Sequence, residues 1–302
     1  MPVKTGHCGP MGVVVIGQIA RDLVLRTDGP PTTDDSTTVV QRKELLGGKG
    51  ANQAVGLAQL GVPVALIAVA GDDDAGTSVL AQAQRDGIDV GGVARRGTTA
   101  LLIDVVPKPP ERMLLEDVPE SSLIQVADLD RSVFDTADTV SIQLQQPPAT
   151  ALEAAQRARR RGLRVVADGA PAEHIRADLL AAVDVIRADA TEASLIAGRE
   201  IGTAAQAREL ADRLLACGPG LVALAVPKVG DLVAWDGGSR LFEFADVDVV
   251  DPTGAGDAFV AGLIAALRDG AAPPEAGELA AAAASATVQR LGGRPDLTAL
   301  KA

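Results

Sequence analysis

Aromatic side chains are scarce in this sequence of 302 residues, which contains no tyrosine, one tryptophan and four phenylalanines. A pocket that holds a planar base therefore has to use aliphatic walls more than aromatic stacking. Cysteine is also rare. Cys8 and Cys217 cannot form a disulfide framework, and their spacing is not that of a metal site. We expect both to be inert thiols.

Basic residues are fewer than acidic ones. Lys and Arg number 28 against 40 Asp and Glu, so the formal net charge is −12. A chain without a basic surplus is a poor partner for the phosphates of a nucleic acid. No apolar run approaches the roughly 18–20 residues of a membrane-spanning helix, and residues 1–12 lack the apolar stretch of a secretory signal. We therefore expect a cytoplasmic protein that binds neither membranes nor nucleic acids.

The patterns that are present indicate an α/β fold. Apolar residues make up 47% of the chain and charged residues 23%, which is ordinary for a globular protein. Predicted strands at 13–17, 64–69, 139–144, 163–167, 183–186 and 221–226 alternate with helices that end near 60 and 83 or span 149–161, 203–217 and 274–289. This alternation predicts βαβ units, and hence a parallel sheet covered by helices on both faces.

Two stretches interrupt the alternation. Residues 18–38 are polar and rich in turn residues, which predicts turns and short edge strands, and residues 100–106 and 112–115 predict a hairpin. Hairpins without helices, at about 20–42 and 98–118, predict a small sheet set apart from the main one as a lid. Because no repeat or low-complexity linker marks a boundary, we expect residues 1–302 to form one domain.

The strongest functional pattern is the stretch 251–259, with the sequence DPTGAGDAF. The alternating apolar run 247–250 precedes it and the small-residue run 258–267 follows, which predicts a strand, a glycine turn and a helix. The backbone N–H groups of the turn would lie at the helix N-terminus, where unpaired donors and the helix dipole favour an anion.

Asp257 places a carboxylate in the first turn of this predicted helix. An anion site next to a potential base is what phosphoryl transfer to a hydroxyl requires. These nine residues alone leave a second interpretation open, in which an ordinary strand-to-helix turn uses Asp257 only to complement the helix dipole.

A second glycine loop, GGKGANQA at 47–54, opens another predicted helix. It is not a P-loop, because Gly50 rather than Ser or Thr follows Lys49, and its glycines are out of register for a dinucleotide fingerprint. The loop offers close backbone approach to a polar ligand, with Lys49 and Asn52 as donors. A plain connecting loop with a solvated lysine is the alternative.

Together the two stretches resemble the two signatures of the ribokinase-like (PfkB) carbohydrate kinases. The resemblance covers about residues 12–297 and includes GQIARD at 17–22, GDD at 71–73 and DATE at 189–192. It implies a three-layer α/β fold, with a mostly parallel Rossmann-like sheet, helices on both faces and a small β-sheet lid. It also implies an ATP-dependent kinase that transfers the γ-phosphate to a hydroxymethyl group of a sugar.

The resemblance assigns site residues by position. Asp257 corresponds to the catalytic base, and the backbone of Gly254, Ala255 and Gly256 to the anion hole. The acceptor-binding positions are Asp22, Gly48, Lys49, Asn52, Gln145 and Asp257. The nucleotide-binding positions are Asp189, Glu192, Ala225, Pro227, Lys228, Gly230, Gly254 and Gly256. Glu192 corresponds to the residue that organises Mg²⁺ through water, and a K⁺ loop would consist of Asp251, Thr253, Thr287, Arg290, Gly292 and Asp296.

Two departures from the family pattern lie in the acceptor site. Ala20 stands where ribokinases proper have an asparagine, and Gln145 where they have a glutamate. Ribose is therefore an uncertain acceptor, and a nucleoside or a sugar acid is an alternative. Several relatives pair through the lid, so we also expect a homodimer.

Further departures lie in the nucleotide site. Asp189 replaces an asparagine near the phosphates, and Ala225 and Pro227 replace the two ends of a Thr-x-Gly turn against ATP. These changes remove a hydroxyl and an N–H and add negative charge, which Lys228 would offset. They leave open a sugar-binding pseudokinase that has lost catalysis.

Overall fold

The computed structural model describes residues 12–108, 111–129 and 131–301. Cys8 lies outside the described residues, whereas Cys217 is a free cysteine at the surface. In this part of the chain no helix is long and apolar enough to cross a membrane.

The described residues form thirteen strands. In chain order they are β1 Gly12–Ile16, β2 Ala20–Thr27, β3 Val39–Gly47, β4 Val64–Ala70, β5 Val93–Arg95, β6 Ala100–Lys108, β7 Glu111–Asp117, β8 Ala137–Gln143, β9 Arg164–Asp168, β10 Val185–Ala188, β11 Leu221–Val226, β12 Gly230–Trp235 and β13 Gly238–Glu243.

The α-helices between them are α1 Lys49–Gln59, α2 Asp74–Arg85, α3 Arg131–Phe134, α4 Pro148–Arg160, α5 Arg176–Leu180, α6 Ala190–Ala197, α7 Ala204–Leu215, α8 Ala255–Arg268 and α9 Pro273–Thr287. Short 3₁₀ helices occur at Glu120–Ser122, Val126–Asp128, Glu173–Ile175 and Thr298–Leu300.

Nine strands form the main sheet, in the order β13-β12-β11-β10-β9-β8-β1-β4-β5. All neighbours are parallel from β11 to β5, and only β12 and β13 at one end are antiparallel. The alternation of predicted strands and helices therefore led to the correct sheet. At this end β12 and β13 form a hairpin whose turn follows Trp235.

Helices cover both faces of the main sheet. In β1, Val13 and Val15 pack into a core with residues of α1, α8 and α9, whereas Val14 and Ile16 pack into a second core with residues of α4. A further core joins β10, β11 and β12 to α6 and α7. Because successive side chains of a strand point to opposite faces, both faces of the sheet are buried. The predicted three-layer α/β fold is confirmed.

A separate sheet of four strands has the order β3-β2-β6-β7. The interruptions at about 20–42 and 98–118 correspond to it, although β3 continues to Gly47 and so leads directly into α1. The expectation of short edge strands at 18–38 was wrong for β2, which pairs with β3 on one side and β6 on the other. Its buried residues Ala20, Asp22 and Val24 alternate with partly exposed ones.

The predicted strand at 247–250 is wrong. After β13 the chain has no regular structure until α8, and the backbone N–H groups of Val250 and Asp251 donate to the carbonyl of Val288, at 2.8 and 3.1 Å. Val247 and Val249 line a pocket beside α9 instead of pairing in a sheet. Apolar residues do alternate along this stretch, but their side chains line a cavity and do not pack in a sheet.

Candidate active site

The candidate site lies at the carboxyl ends of the parallel strands, the edge where α/β sheets bind ligands. The first turn of α1 reaches this edge because Gly50 has no side chain. A Cβ on Gly50 would lie 2.6–2.9 Å from the backbone of Gly17 and Gln18, just after β1. The glycines of the loop 47–54 therefore allow close packing against the end of β1, and the loop also exposes polar groups.

Helix α8 begins with the expected glycine turn. Gly254 immediately precedes the helix with a φ of 74°, and no side chain caps the helix. A Cβ on Gly254 would lie 1.9 Å from the carbonyl oxygen of Gly293, so this position requires glycine for both its φ and its space. The N–H groups of Ala255 and Gly256 lie in the first turn, where donors lack partners within the helix and attract an anion.

Asp257 is buried in this first turn, with 6% of its surface exposed. Its Oδ2 accepts a hydrogen bond from Asn52 Nδ2 at 3.2 Å, and its Oδ1 accepts one from Gln53 Nε2 at 3.4 Å. Burial raises the pKa of Asp257 to about 7, and the charge of Asp168 adds to this effect. Lys49 and the Asn52 hydrogen bond act in the opposite direction. A carboxylate with this pKa can accept a proton near neutral pH.

Gln53 links Asp257 to a second buried carboxylate. Its Nε2 also donates to Asp168 Oδ2 at 2.8 Å, and its Oε1 accepts from the hydroxyl of Ser141 at 2.9 Å. On its other side, Asp168 Oδ1 accepts from Arg187 Nη1 at 3.1 Å. The sequence predicted no role for the members of this network other than Asp257, which are Gln53, Ser141, Asp168 and Arg187, since each contact joins distant parts of the chain. The available signal was their position at predicted strand ends or inside the signature.

Lys49 contacts the start of α6. Its Nζ lies 3.3 Å from Glu192 Oε1, while Glu192 Oε2 accepts from the backbone N–H of Asp189 at 2.8 Å. Asp189 Oδ1 in turn accepts from the N–H of Glu192 at 2.8 Å, which completes a capping box. Burial lowers the pKa of the Lys49 ammonium, but Asp168, Glu192 and Asp257 outweigh burial and raise it. Lys49 therefore keeps its charge.

On the lid side of Asp257 lies Asp22, which is 4% exposed. Its Oδ1 has no hydrogen-bond partner among the described residues, and a Cβ on Gly47 would overlap its carboxyl group. Burial, followed by the charges of Asp104 and Asp257, raises the pKa of Asp22 to about 8, against a hydrogen bond from the Gly48 backbone. With this pKa, the Asp22 carboxyl is mostly protonated at neutral pH and can form hydrogen bonds to a hydroxyl.

Gln145 is exposed just after β8. Its Oε1 accepts from Gln143 Nε2 at 2.9 Å, and Gln143 Oε1 accepts from the N–H of Gln18 at 2.8 Å. Two amides thus connect the ends of β8 and β1.

A pocket of about 440 Å³ lies on the other side of Asp257. Lys49, Asp189 and Asp257 line it, together with residues 254–256. Much of the remaining wall is apolar and includes Val247, Val249, Ala281, Ala284 and Val288 together with Phe242, Phe244 and Phe259. The expected aliphatic wall is present, but three of the four phenylalanines join it.

Only part of the predicted nucleotide turn reaches this pocket. Ala225 lines it, whereas Pro227 and Lys228 are exposed in the turn between β11 and β12. Lys228 has a φ of 62°, a left-handed conformation that glycine adopts more readily. Gly230 begins β12 and packs its Cα against the backbone of Phe242.

The residues assigned to a K⁺ loop fall into three groups. Asp251 is fully buried; its Oδ1 accepts from Thr253 N at 2.9 Å and Thr253 Oγ1 at 2.5 Å, and its Oδ2 accepts from Gly292 N at 2.9 Å. Arg290 and Asp296 instead form an ion pair with each other. The hydroxyl of Thr287 donates to the carbonyl of Ala283 within α9, at 2.9 Å.

Arg112 of β7 was not assigned to the site by sequence. Its Nη1 donates to Thr253 Oγ1 and lies 3.5 Å from the Oδ1 of Asp104, a buried residue of β6. Lys43 of β3 donates to the carbonyl of Leu291 at 3.0 Å. Two basic side chains of the small sheet therefore reach the loop before α8 and the loop after α9.

A family model describing the pfkB carbohydrate kinases matches residues 11–300 of this chain. The chain belongs to this family. It is therefore a carbohydrate kinase, which transfers a phosphoryl group to an alcohol.

Several relatives of this pfkB kinase resemble it over almost their whole length. It is 29% identical to the ribokinase of Haemophilus influenzae, over 94% of each chain, and 30% identical to the ATP-dependent ribose-1-phosphate kinase of Halopiger xanaduensis, over 95% of each chain. The crystal structure of ribokinase from Thermotoga maritima matches with a TM-score of 0.80 at 26% identity, over 94% of this chain and 95% of that one.

Proposed function

We propose that this pfkB kinase transfers the γ-phosphoryl group of ATP, bound with Mg²⁺, to a hydroxymethyl group of a sugar. The observation that carries the proposal is the position of Asp257. Its buried carboxylate accepts hydrogen bonds from Asn52 and Gln53, directly after the glycine turn and at the boundary of the 440 Å³ pocket. The roles assigned to the individual residues below are part of the proposal.

In the transfer step the acceptor oxygen forms a bond to the γ-phosphorus as the bond to the β,γ-bridging oxygen breaks. The acceptor proton moves to Asp257, and the electron pair of the broken bond leaves with ADP. The N–H groups of Ala255 and Gly256 face the charge that develops on the phosphoryl oxygens. Asp22, Lys49 and Asn52 hold the other hydroxyls of the acceptor.

The residues fit a magnesium ion that arrives with the nucleotide. Among the described residues no group of three or more His, Cys, Asp or Glu side chains could hold a metal ion alone. Mg²⁺ in phosphoryl transfer is held by one or two carboxylates, water and the phosphates. Asp189 lines the pocket, and Glu192 contacts both Asp189 and Lys49, which also lines it. When bound, the ion neutralises charge on the phosphates. A putative ribokinase II from E. coli, which shares the fold, was crystallised with ATP and Mg²⁺.

A ribose-like sugar is the first candidate acceptor, because ribokinases recur among the relatives. A phosphorylated pentose is the second. The relative from Halopiger xanaduensis is named for ribose-1-phosphate, and Arg112 supplies a cation whose charge acts on Asp22 in the acceptor site. Arg112→Gln should then weaken the use of a sugar phosphate and leave a free sugar almost unaffected.

The deciding experiment measures ADP release from Mg-ATP with pentoses, hexoses, ribose-1-phosphate, sugar acids and nucleosides, with and without EDTA. We expect turnover with a free or phosphorylated pentose that EDTA abolishes. Replacing K⁺ by choline in the same assay tests the proposed cation loop around Asp251. Sugar binding by calorimetry without nucleotide binding or turnover would establish a pseudokinase instead.

We also propose that the small sheet is a lid within one domain and that two lids pair in a homodimer. Lys43 and Arg112 connect the lid to the loops at Leu291 and Thr253. Large apolar side chains are exposed on its outer strands, at Val39 and Val40 of β3 and at Met113, Leu114 and Leu115 of β7. Sedimentation should give a dimer that Leu115→Lys dissociates, and a monomeric wild type would contradict the pairing.

A further inference from the structure

Arg187 is a buried basic residue near the end of β10. Its side chain is 9% exposed, and it lies in register with Asp168, the last residue of β9. Its Nη1 donates to Asp168 Oδ1 at 3.1 Å. Because both strands end at the ligand-binding edge of the sheet, this guanidinium lies at the floor of the candidate site.

The guanidinium packs directly against the start of α8. A Cβ on Gly256 would lie 2.6 Å from Arg187 Nη2, 2.7 Å from Nη1 and 2.9 Å from Cζ. Arg187 and the backbone of 254–256 also line the same pocket. The absence of a side chain at Gly256 therefore lets a fixed positive charge approach the N–H groups of the glycine turn.

Arg187 has hydrogen-bonding capacity that the protein does not use. A guanidinium has five N–H donors, and Nε of Arg187 has no partner among the residues described. Asp168 is shared with Gln53, whose Nε2 donates to its other oxygen. The guanidinium of Arg187 is held by one ion pair, keeps unused donors and lines a pocket. Such a group is suited to bind an anion bidentately.

The surrounding carboxylates keep Arg187 charged. Burial lowers the pKa of the guanidinium, but Asp168, Asp231 and Glu192 outweigh burial and raise it. Asp231 lies on β12 opposite Ala225 and also lines the pocket. Ala225 itself lies on β11, which pairs directly with β10, the strand of Arg187.

We propose that Arg187 binds the terminal phosphoryl group of the nucleotide, together with the N–H groups of the glycine turn at 254–256. The inference rests on the proposed phosphoryl transfer from ATP. In that step Arg187 contacts non-bridging oxygens of the γ-phosphoryl group, while the acceptor oxygen attacks the phosphorus and the bridging oxygen leaves with ADP. A guanidinium already fixed by Asp168 stabilises this charge without reorganising.

The test compares two nucleotides by calorimetry in the presence of Mg²⁺: ADP, and an ATP analogue with an imido group in the β,γ bridge. Arg187→Gln should weaken binding of the analogue about 10- to 100-fold, the effect of losing one hydrogen bond between charged groups. Binding of ADP should change less than about threefold, because ADP lacks the group that Arg187 contacts.

Arg187→Lys serves as the second variant, and it decides the question if the Gln variant does not fold. It keeps the charge but lacks the planar fork, so it should weaken binding of the analogue and leave ADP binding unchanged. Equal losses for both nucleotides, or no loss for the analogue in either variant, would show an ion pair with only a structural role. Thermal unfolding of each variant separates loss of fold from loss of contact.

The binding measurements do not depend on turnover. A wild-type protein that binds the analogue more tightly than ADP but phosphorylates no acceptor would contradict the proposed function, and the Arg187 variants would still decide this inference. A wild-type protein that binds neither nucleotide would overturn both.

Discussion

Asn52 and Asp257 are separated by 205 residues in the chain, yet Asn52 Nδ2 donates to Asp257 Oδ2 at 3.2 Å in a buried contact. The contact joins the first turns of α1 and α8, and therefore the two glycine-rich signatures. Asp257 alone would be a carboxylate at a helix start. Because Asn52 and Gln53 donate to its two oxygens, the carboxylate is held in one orientation, as the proposed role of a base requires.

The first prediction concerns Asp257 itself. Asp257→Asn removes the proton acceptor but keeps the shape of the residue, so kcat should fall by about 10²- to 10⁴-fold, the usual contribution of a general base. Acceptor affinity, measured by calorimetry, should change little, because an amide can still hydrogen-bond to a hydroxyl. Near-normal turnover of this variant would contradict the proposed mechanism.

The second prediction is a pH dependence. Burial raises the pKa of Asp257 to about 7, and the base must be ionised to accept a proton. The value of kcat/KM should therefore fall about tenfold per pH unit below that pKa and level off above it. Initial rates between pH 5 and pH 9 at subsaturating acceptor test this, and an acidic limb centred near the ordinary aspartate pKa of about 4 would oppose it.

The third prediction separates two reasons for glycine at position 254: its positive φ and the lack of room for a side chain. Gly254 and Gly237 both have positive φ, at 74° and 85°, but a Cβ on Gly237 meets nothing within 4 Å. Gly237→Ala should cost about 1–2 kcal/mol of unfolding free energy, the price of left-handed backbone alone. Gly254→Ala also collides with Gly293, so we expect about 2–4 kcal/mol and a loss of turnover. Equal denaturant midpoints for the two variants would refute the role of space.

The fourth prediction tests the amide between two carboxylates. Gln53→Glu places a third carboxylate between Asp168 and Asp257, so the protein should lose about 3–5 kcal/mol of stability at neutral pH. Gln156→Glu, on α4 four residues before Arg160, is the matched control and should stay within about 0.5 kcal/mol of the wild type. Urea unfolding gives both numbers. A tolerated Gln53→Glu would mean that the buried network is looser than the distances imply.

The fifth prediction concerns Asp22 and stability. Its pKa is raised to about 8 in the folded protein, from 3.8, so folding favours its protonated form. Its stabilising contribution is complete below pH 3.8 and is lost as the pH rises through about 8. Asp22→Asn cannot ionise, so its melting temperature relative to the wild type should rise between pH 5 and pH 9. A difference that does not change with pH would show that Asp22 titrates normally.

Much of the fold could be predicted because its signals are local. A strand buried on both faces reads as a β-branched run, and a helix needs only residues three or four positions apart, so most elements and the three-layer α/β fold were correct. The run 247–250 shows the limit of this reasoning. Its alternating valines predicted a strand, but Val247 and Val249 contact a pocket, and a local pattern does not reveal which surface lies opposite.

The sequence by itself determined the two glycine turns, the acidic residue after one of them and the family to which the chain belongs, because each depends on neighbours in the chain. Only the tertiary structure decided what surrounds Asp257. The contacts from Gln53 to Asp168 and from Asn52 to Asp257 span 115 and 205 residues, and Arg187 reaches Gly256 from another strand. The pKa of a buried carboxylate depends on such distant charges and on exclusion of water, which arise only when the chain is folded.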